Sequence, residues 1–373
     1  MERRRTRPSD EKTISGELGE TLKHIQKRYG DNSVSTGDKI YQPDRISTGA
    51  FILDFSLLGG IPFSRTAMIV GERHAGKTML ASKIIASAQH QYPDQTPVFI
   101  DVEGSYDATW AEKLGVDTSH LIVVPCETGE MVVDIADAVI ESKETSLIVI
   151  DSIAAMTPMK EVESSAEDAH VGLQARLVGG LIRKLTSNMV KERKRGHFVT
   201  VLFLNQFRMK IGVMYGDPRT VPGGKALEFS TSVQITIKNK ENTGKDDLGI
   251  EAIVKNEHPF TITKNKMNAG PRTGEFMLVR TDDPETGLPA GTIDNSPTLI
   301  SYAKKFGLYT GGGQSWNLAI GDDSYKFGKA QEAIAMLNED YSKQRALWNL
   351  LIQLQAKRLG MSDEFISRLG DMK

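Results

Sequence analysis

Through the middle of the chain, short runs that are apolar throughout alternate with longer stretches of helical period. The runs at residues 66–70, 97–101, 121–124, 147–151 and 198–205 lack polar alternation, which predicts strands covered on both faces. Between them, residues 79–89, 108–114, 130–143 and 171–191 repeat apolar side chains at spacings of three and four, as helices do. In the last of these Leu173, Leu177, Leu181 and Leu185 recur at i+4, predicting a buried stripe. Single strands alternating with helices define an α/β class with a mostly parallel sheet flanked by helices. Further on, residues 233–238 alternate strictly, followed by strand-like runs at 251–254, 260–264 and 276–279, which predicts an antiparallel extension.

Both ends differ from this core. Ile14, Leu18, Leu22 and Ile25 place one apolar stripe on a helix over residues 13–29, ended by Gly30. A polar stretch, 37–44, separates it from the core, so its stripe needs a surface on its own domain or on a neighbouring subunit. The turn-rich stretch from Asp282 to Pro297 suggests a boundary, and residues 298–306 and 329 onward read mostly as helix. The expected organisation is an N-terminal tail and helix (1–44), a core (45–284) and a C-terminal domain (285–373). No internal repeat is visible.

Composition narrows the partners. The 373 residues carry 46 basic and 48 acidic side chains, so any nucleic-acid surface must be a local patch. One cysteine, Cys126, rules out an intrachain disulfide and fits a reducing cytoplasm; packing, not nucleophilic chemistry, is its expected role. No apolar stretch approaches the roughly 20 residues needed to span a bilayer. The basic start, Arg3-Arg4-Arg5-Thr6-Arg7, lacks the apolar stretch of a signal peptide and reads as a tail.

The densest chemistry is Gly71-Glu72-Arg73-His74-Ala75-Gly76-Lys77-Thr78, between an apolar run and a helix beginning near Met79. Two glycines let the backbone curl so that its N–H groups cradle phosphates, aided by the helix start. Lys77 would reach the terminal phosphates, and the Thr78 hydroxyl would hold Mg²⁺. This is a nucleoside triphosphate site, with ATP and Mg²⁺ as the expected ligands. Asp151 ends an apolar strand and would sit beside the loop, holding Mg²⁺ directly or through water. Asp101 or Glu103, at another strand end, could activate the attacking water, and spacing leaves both open. Gln206 could sense the terminal phosphate. It introduces residues 207–225, where Arg208, Lys210, Arg219 and Lys225 face one acid, Asp217, among glycines and the apolar run from Ile211 to Tyr215. That mixture suits a nucleic-acid backbone with insertion between bases. A second loop, 158–170, is acidic except near Arg176, and residues 191–195 read as a solvated helix end.

These motifs together resemble the bacterial RecA recombinases and their phage relatives. The likeness runs through Ile46-Ser47-Thr48-Gly49, the phosphate loop, Phe99 to Glu103, Lys113 to Asp117, Val149 to Ala155, Asn205 to Gly216, Gly223-Gly224 and Lys264-Asn265-Lys266. The stretch from Asn205 to Gly216 is the most specific. The resemblance implies a RecA-type phosphate-loop ATPase core with an N-terminal subunit-docking helix and a small C-terminal α/β domain. It makes Glu103 the water-activating carboxylate and Gln206 the link from phosphate to the second DNA loop. Residues 158–171 become the first DNA loop, with Val171 and Ile211 as inter-base wedges. Arg176, Arg208, Lys210, Gly223 and Gly224 would contact the DNA backbone, and Trp110 would stack on adenine. Lys264 and Lys266 would reach a nucleotide bound by an adjacent subunit of a helical filament.

The implied activity is DNA-dependent hydrolysis of ATP, coupled to homologous pairing and strand exchange between single- and double-stranded DNA. Single-strand-binding and mediator proteins are candidate partners, and the expected compartment is the cytoplasm of a bacterial cell or phage-infected host. A ring helicase of the same core, and a nucleotide-binding mediator without turnover, are the alternatives. Three features depart from the bacterial pattern: Arg73 and His74 within the phosphate loop, Glu228 in place of a lysine, and the lack of a strongly acidic C-terminal tail.

Overall fold

The computed structural model describes residues 16–30, 34, 43–163, 172–209, 219–245 and 249–370. An N-terminal helix, α1 (Glu17–Tyr29), precedes α2 (Phe51–Leu57) and the central strands. In chain order these elements are β1 (Thr66–Gly71), α3 (Lys77–Gln91), β2 (Val98–Asp101), α4 (Ala108–Lys113), β3 (Ile122–Pro125), α5 (Gly129–Ser142), β4 (Leu147–Asp151), α6 (Leu173–Lys194) and β5 (Thr200–Gln206). Next come α7 (Gly224–Ser230), β6 (Val233–Ile237), β7 (Lys240–Lys245), β8 (Glu251–Asn265) and β9 (Thr273–Val279). They form one nine-stranded sheet of order β7-β8-β6-β1-β5-β4-β2-β3, with β9 on the other side of β8.

From β6 to β3 all neighbours are parallel. The period of two along each strand then fills two separate cores. Ala67, Ile69, Leu147, Val149, Leu202 and Leu204 face α3, whereas Met68, Val70, Ile148, Ile150, Val201 and Phe203 face α5 and α6. Cys126 is buried in the second core, where burial pushes its thiol up.

Several expectations need correction in detail. The strictly alternating strand, β6, is parallel to β1 and antiparallel to β8, so it joins the two halves of the sheet instead of belonging to the extension. Residues 251–254 and 260–264 are parts of one fifteen-residue strand, β8, which passes through Pro259 without a break. It pairs along one edge with β7 and β6 and along the other with β9. On α6 the buried face is Val178, Leu181, Ile182, Leu185 and Met189, while Leu173 and Leu177 are only half-buried. A 22-residue helix curves its stripe away from an i+4 line, because 3.6 residues per turn drift from four. Its end is not wholly solvated either: Glu192 is buried and accepts from Arg195 Nη1 at 2.7 Å.

The C-terminal residues form α8 (Ser296–Lys305), a three-stranded sheet β10 (Tyr309–Gly312), β11 (Ser315–Ile320) and β12 (Asp323–Phe327), and helices α9 (Ala330–Glu339), α10 (Tyr341–Arg358) and α11 (Asp363–Gly370). Their hydrophobic cluster includes Phe51, Phe55 and Leu58, while Ile52, Leu53 and Leu57 of the same segment lie in the core beneath the large sheet. Helix α2 is therefore shared between two cores. Phe51 N–H donates to Asn295 Oδ1 at 2.8 Å, fixing that junction. No helix among the described residues is long and apolar enough to cross a membrane.

Candidate active site

Strand register brings the predicted chemistry to one edge of the sheet. Gly71 pairs with Gln206 and Asp101 with Asp151, and the register of β4 on β5 offsets the two pairs by two residues, so four strands end at the same edge. The carboxyl ends of parallel strands are where such folds bind ligands. A cleft of about 1190 Å³ opens there, lined by residues 72–79, Glu103, Trp110, Asp151, Gln206 and Arg208 among others.

The loop curls as its glycines require. Gly76 has φ 93°, and a Cβ there would lie 2.6 Å from Cε1 of the His258 ring. His258, from β8, is buried beneath the loop, with Nδ1 3.0 Å from Lys238 O, and burial lowers its imidazole's pKa. Lys77 begins α3 and is buried, its ammonium donating to Glu72 O at 2.8 Å. Desolvation lowers its pKa, opposed by Asp151 and Glu103, so phosphate charge at this position would be strongly favourable. Arg73 and His74 are exposed at the loop's rim, the latter with φ 58°.

Thr78 Oγ1 donates to Asp151 Oδ2 at 2.7 Å. One hydroxyl and one carboxylate form a hard-oxygen set that could hold a divalent cation whose shell phosphate and water complete. Burial raises the Asp151 carboxyl to about 6, with Glu103 adding to the rise and Thr78 opposing it. A carboxyl raised in the folded state adds stability below its unfolded value, and loses it as pH rises through about 6. Asp151→Asn should therefore gain on the order of 2 kcal/mol over the native chain at pH 8, without nucleotide, and nothing at pH 3.5. Urea unfolding at the two pH values measures this; an equal difference at both would remove the buried-anion assignment.

The choice between Asp101 and Glu103 resolves into two jobs. Asp101 Oδ1 accepts from Gly104 N–H at 2.8 Å and Ser105 N–H at 3.2 Å, and Oδ2 accepts from Tyr106 N–H at 3.1 Å. It is consumed in folding the turn. Glu103 faces the cleft, its Oε1 accepting from Ser152 Oγ at 2.6 Å and Gln206 Nε2 at 2.7 Å. Gln206 ends β5, two residues before the short ladder of Arg208–Met209 with Arg219–Thr220, which roots the second loop. From there Arg208 donates to Ala154 O at 2.6 Å and reaches Gln174 Oε1 at 3.4 Å, joining that root to the start of α6.

The remaining predicted residues divide into three groups. Arg176 is exposed on the first turns of α6. Gly223 and Gly224 have φ 98° and 70° and start α7; a Cβ on Gly223 would meet Leu227 at 2.9 Å, so its backbone has a packing reason as well. Val171, Lys210 and Ile211 lie outside the described residues, as do most of 37–44 and 164–170. Lys264 and Lys266 do not line the cleft. Lys264 pairs with Gln234, at the level of Met68, and Lys266 N–H donates to Ser232 O. Thr66 accepts Ser232's N–H, placing Lys266 about five residues, roughly 16 Å, back along the sheet from Gly71. Both ammonium groups bond Phe229 O, and Lys264 also bonds Glu228 O.

Sequence reasoning missed Arg280. It follows β9, and its guanidinium lies 4.4 Å from the centroid of the Trp110 ring, lining the same cleft. Nothing near Arg280 in sequence signals this, because the contact depends on β9 pairing with β8. The aromatic shelf is thus a stacked pair. Arg280→Ala should raise the KM for nucleotide about two- to fivefold with kcat held, as loss of a partly exposed cation–π contact predicts. An unchanged KM would remove Arg280 from the shelf.

Comparison with known proteins follows the same residues. Residues 16–283 match the family model described as the RecA N-terminal domain. The protein RecA of Marinobacter nauticus is 37% identical over 295 residues, covering 76% of this chain and 82% of the relative. That of Thioalkalivibrio sulfidiphilus is 38% identical over 302 residues (78% and 84%), and that of Allochromatium vinosum 39% over 296 residues (76% and 82%).

Proposed function

The chain belongs to the RecA family, and from that premise we propose that it is a recombinase that polymerises on single-stranded DNA, hydrolyses ATP to ADP and phosphate, and pairs its strand with homologous duplex. The single observation that carries this reading is the hydrogen bond from Gln206 to Glu103, made two residues along the chain from the root of the second loop. A group that acts on the terminal phosphate is thereby tied to a segment suited to DNA. Binding at either end would bias the same contact, which is what coupling between two sites requires.

In this reading Lys77 and the loop N–H groups hold the phosphates, and Trp110 with Arg280 holds the base. Thr78 and Asp151 would hold Mg²⁺, which supplies charge neutralisation on the phosphate oxygens. Ser152 and Gln206 both donate to Glu103 Oε1. Oε2 is left to take the proton of the attacking water, while Ser152 and Gln206 fix the carboxylate's direction. Phosphate leaves, the Gln206 contact relaxes, and the loop's grip on DNA weakens. Lys264 and Lys266 stand too far from their own loop and would act on the nucleotide of the next subunit, stabilising charge in the transition state. The protein would then work in the cytoplasm of a bacterial cell or phage-infected host, with single-strand-binding and mediator proteins as partners.

Electron microscopy of the protein with single-stranded DNA and a slowly hydrolysed ATP analogue tests the reading. Open helical filaments on the DNA are expected. Closed rings would replace it with a helicase, and the absence of any assembly with a nucleotide-binding mediator.

A further inference from the structure

A second cavity, of about 410 Å³, lies at the seam between α3, residues 288–295 and the C-terminal helices α9 and α10. It sits on the flank of α3, away from the phosphate loop, and shares no lining residue with the nucleotide cleft. Its charged lining is of one sign. Lys83 and His90 from α3 and Arg345 from α10 border it, and no aspartate or glutamate does. Lys83 is half-buried, and among the described residues its ammonium has no hydrogen-bond or ion-pair partner. Burial alone pushes it down to about 8, with no carboxylate acting to hold it up. Across the cavity Trp348 is buried, and its indole forms part of the wall. Arg345 lies 5.0 Å from the centroid of that indole ring. The rest of the wall mixes apolar residues, Leu114, Pro289 and Leu337 among them, with neutral polar ones such as Ser87, Thr292 and Gln344.

A half-buried cation without a counter-charge is unfavourable, and an anion in the cavity would supply that counter-charge. The volume exceeds what a bare inorganic ion fills and matches the scale of small-ligand pockets. We propose that this cavity binds a small organic phosphate, of the size of a nucleoside monophosphate. Lys83 and Arg345 hold the charge, and the organic body lies on Trp348, Leu114, Pro289 and Leu337. Because the walls come from the phosphate-loop helix and from the C-terminal helices, the ligand fastens these two parts together.

The expected pH dependence follows from Lys83. An anion favours the ammonium form, so affinity is level from about pH 7, where a phosphate monoester is already a dianion, to about pH 8, and falls as pH rises above that, with proton uptake on binding. Other titratable groups near the cavity are His90 on α3, Tyr341 and Arg345 on α10, and Asp54 on α2, which is buried and senses Arg345. Replacing Lys83 by arginine, charged throughout, separates its contribution from theirs.

The test is calorimetric titration of adenosine monophosphate into the full chain saturated with Mg²⁺ and a slowly hydrolysed ATP analogue. The analogue's own isotherm is recorded first, so failure of the nucleotide cleft is seen separately. Binding is expected, weakened tenfold or more by Lys83→Met, which keeps the length of the side chain and removes its charge. Lys83→Arg is expected to retain binding and to lose both the decline above pH 8 and the proton uptake. Absence of binding at millimolar ligand would overturn the proposal, as would equal affinity in the native and Lys83→Met proteins.

Discussion

Glu103→Gln is expected to bind nucleotide and DNA as the native chain does, and to lose hydrolysis by about 10²- to 10⁴-fold, the range of a positioned general base. The substitution is close to isosteric, and its amide carbonyl can still accept from Ser152 and Gln206, as Glu103 Oε1 does. What changes is the second position, where an oxygen that accepts a proton becomes an NH₂ that cannot. Assembly should therefore persist, and filaments should outlast their native counterparts because the step that releases DNA is slow. Steady-state phosphate release on single-stranded DNA, beside nucleotide binding, measures the separation. Ordinary turnover in the variant would move the base elsewhere.

The second large effect concerns Lys264. Lys264→Ala should bind nucleotide normally in its own subunit yet lose DNA-dependent hydrolysis on the order of 10³-fold, as when a charge-stabilising cation is removed. Neither lysine lines the cleft, and both ammonium groups bond carbonyls at the end of α7. Mixing makes the assignment decisive. In a head-to-tail assembly of equal parts Glu103→Gln and Lys264→Ala, about a quarter of interfaces unite an intact Glu103 with an intact neighbouring Lys264. Two inactive variants should therefore regain roughly a quarter of native hydrolysis when mixed. If Lys264 acts within its own subunit, no mixture recovers anything.

How far such sites could be read in advance depended on whether a residue's role is local. The strands of the parallel sheet were legible because burial on both faces makes a run apolar without reference to its neighbours. Strand β7, Lys-Glu-Asn-Thr-Gly-Lys, has no such signature and exists because β8 offers it an edge. The C-terminal sheet was equally quiet, since β10 is Tyr-Thr-Gly-Gly and its pairing with β11 is set by a tight turn. In the site, Lys77, Thr78 and Asp151 stood out because strand, loop and helix fix them together. Asp101 and Glu103 could not be separated by spacing from Phe99; only the turn's N–H groups, aimed at Asp101, divide their work. Arg280 could not be found without the register of β9, and Lys264 and Lys266, at the end of β8 and just after it, took their role from resemblance alone.

Helix α2 has one more consequence, and it concerns the growing chain during synthesis. Phe51 and its partner Asn295 are 244 residues apart. At translation rates of 5–20 residues per second, roughly 12–50 s separate their emergence from the ribosome. During that interval the central sheet can assemble on Ile52, Leu53 and Leu57, while the aromatic side of the same helix stays bare. The nascent protein thus carries a sticky patch of Phe51 and Phe55 until its last quarter arrives. Chaperone occupancy, and losses to premature termination, should concentrate on that stage of its birth.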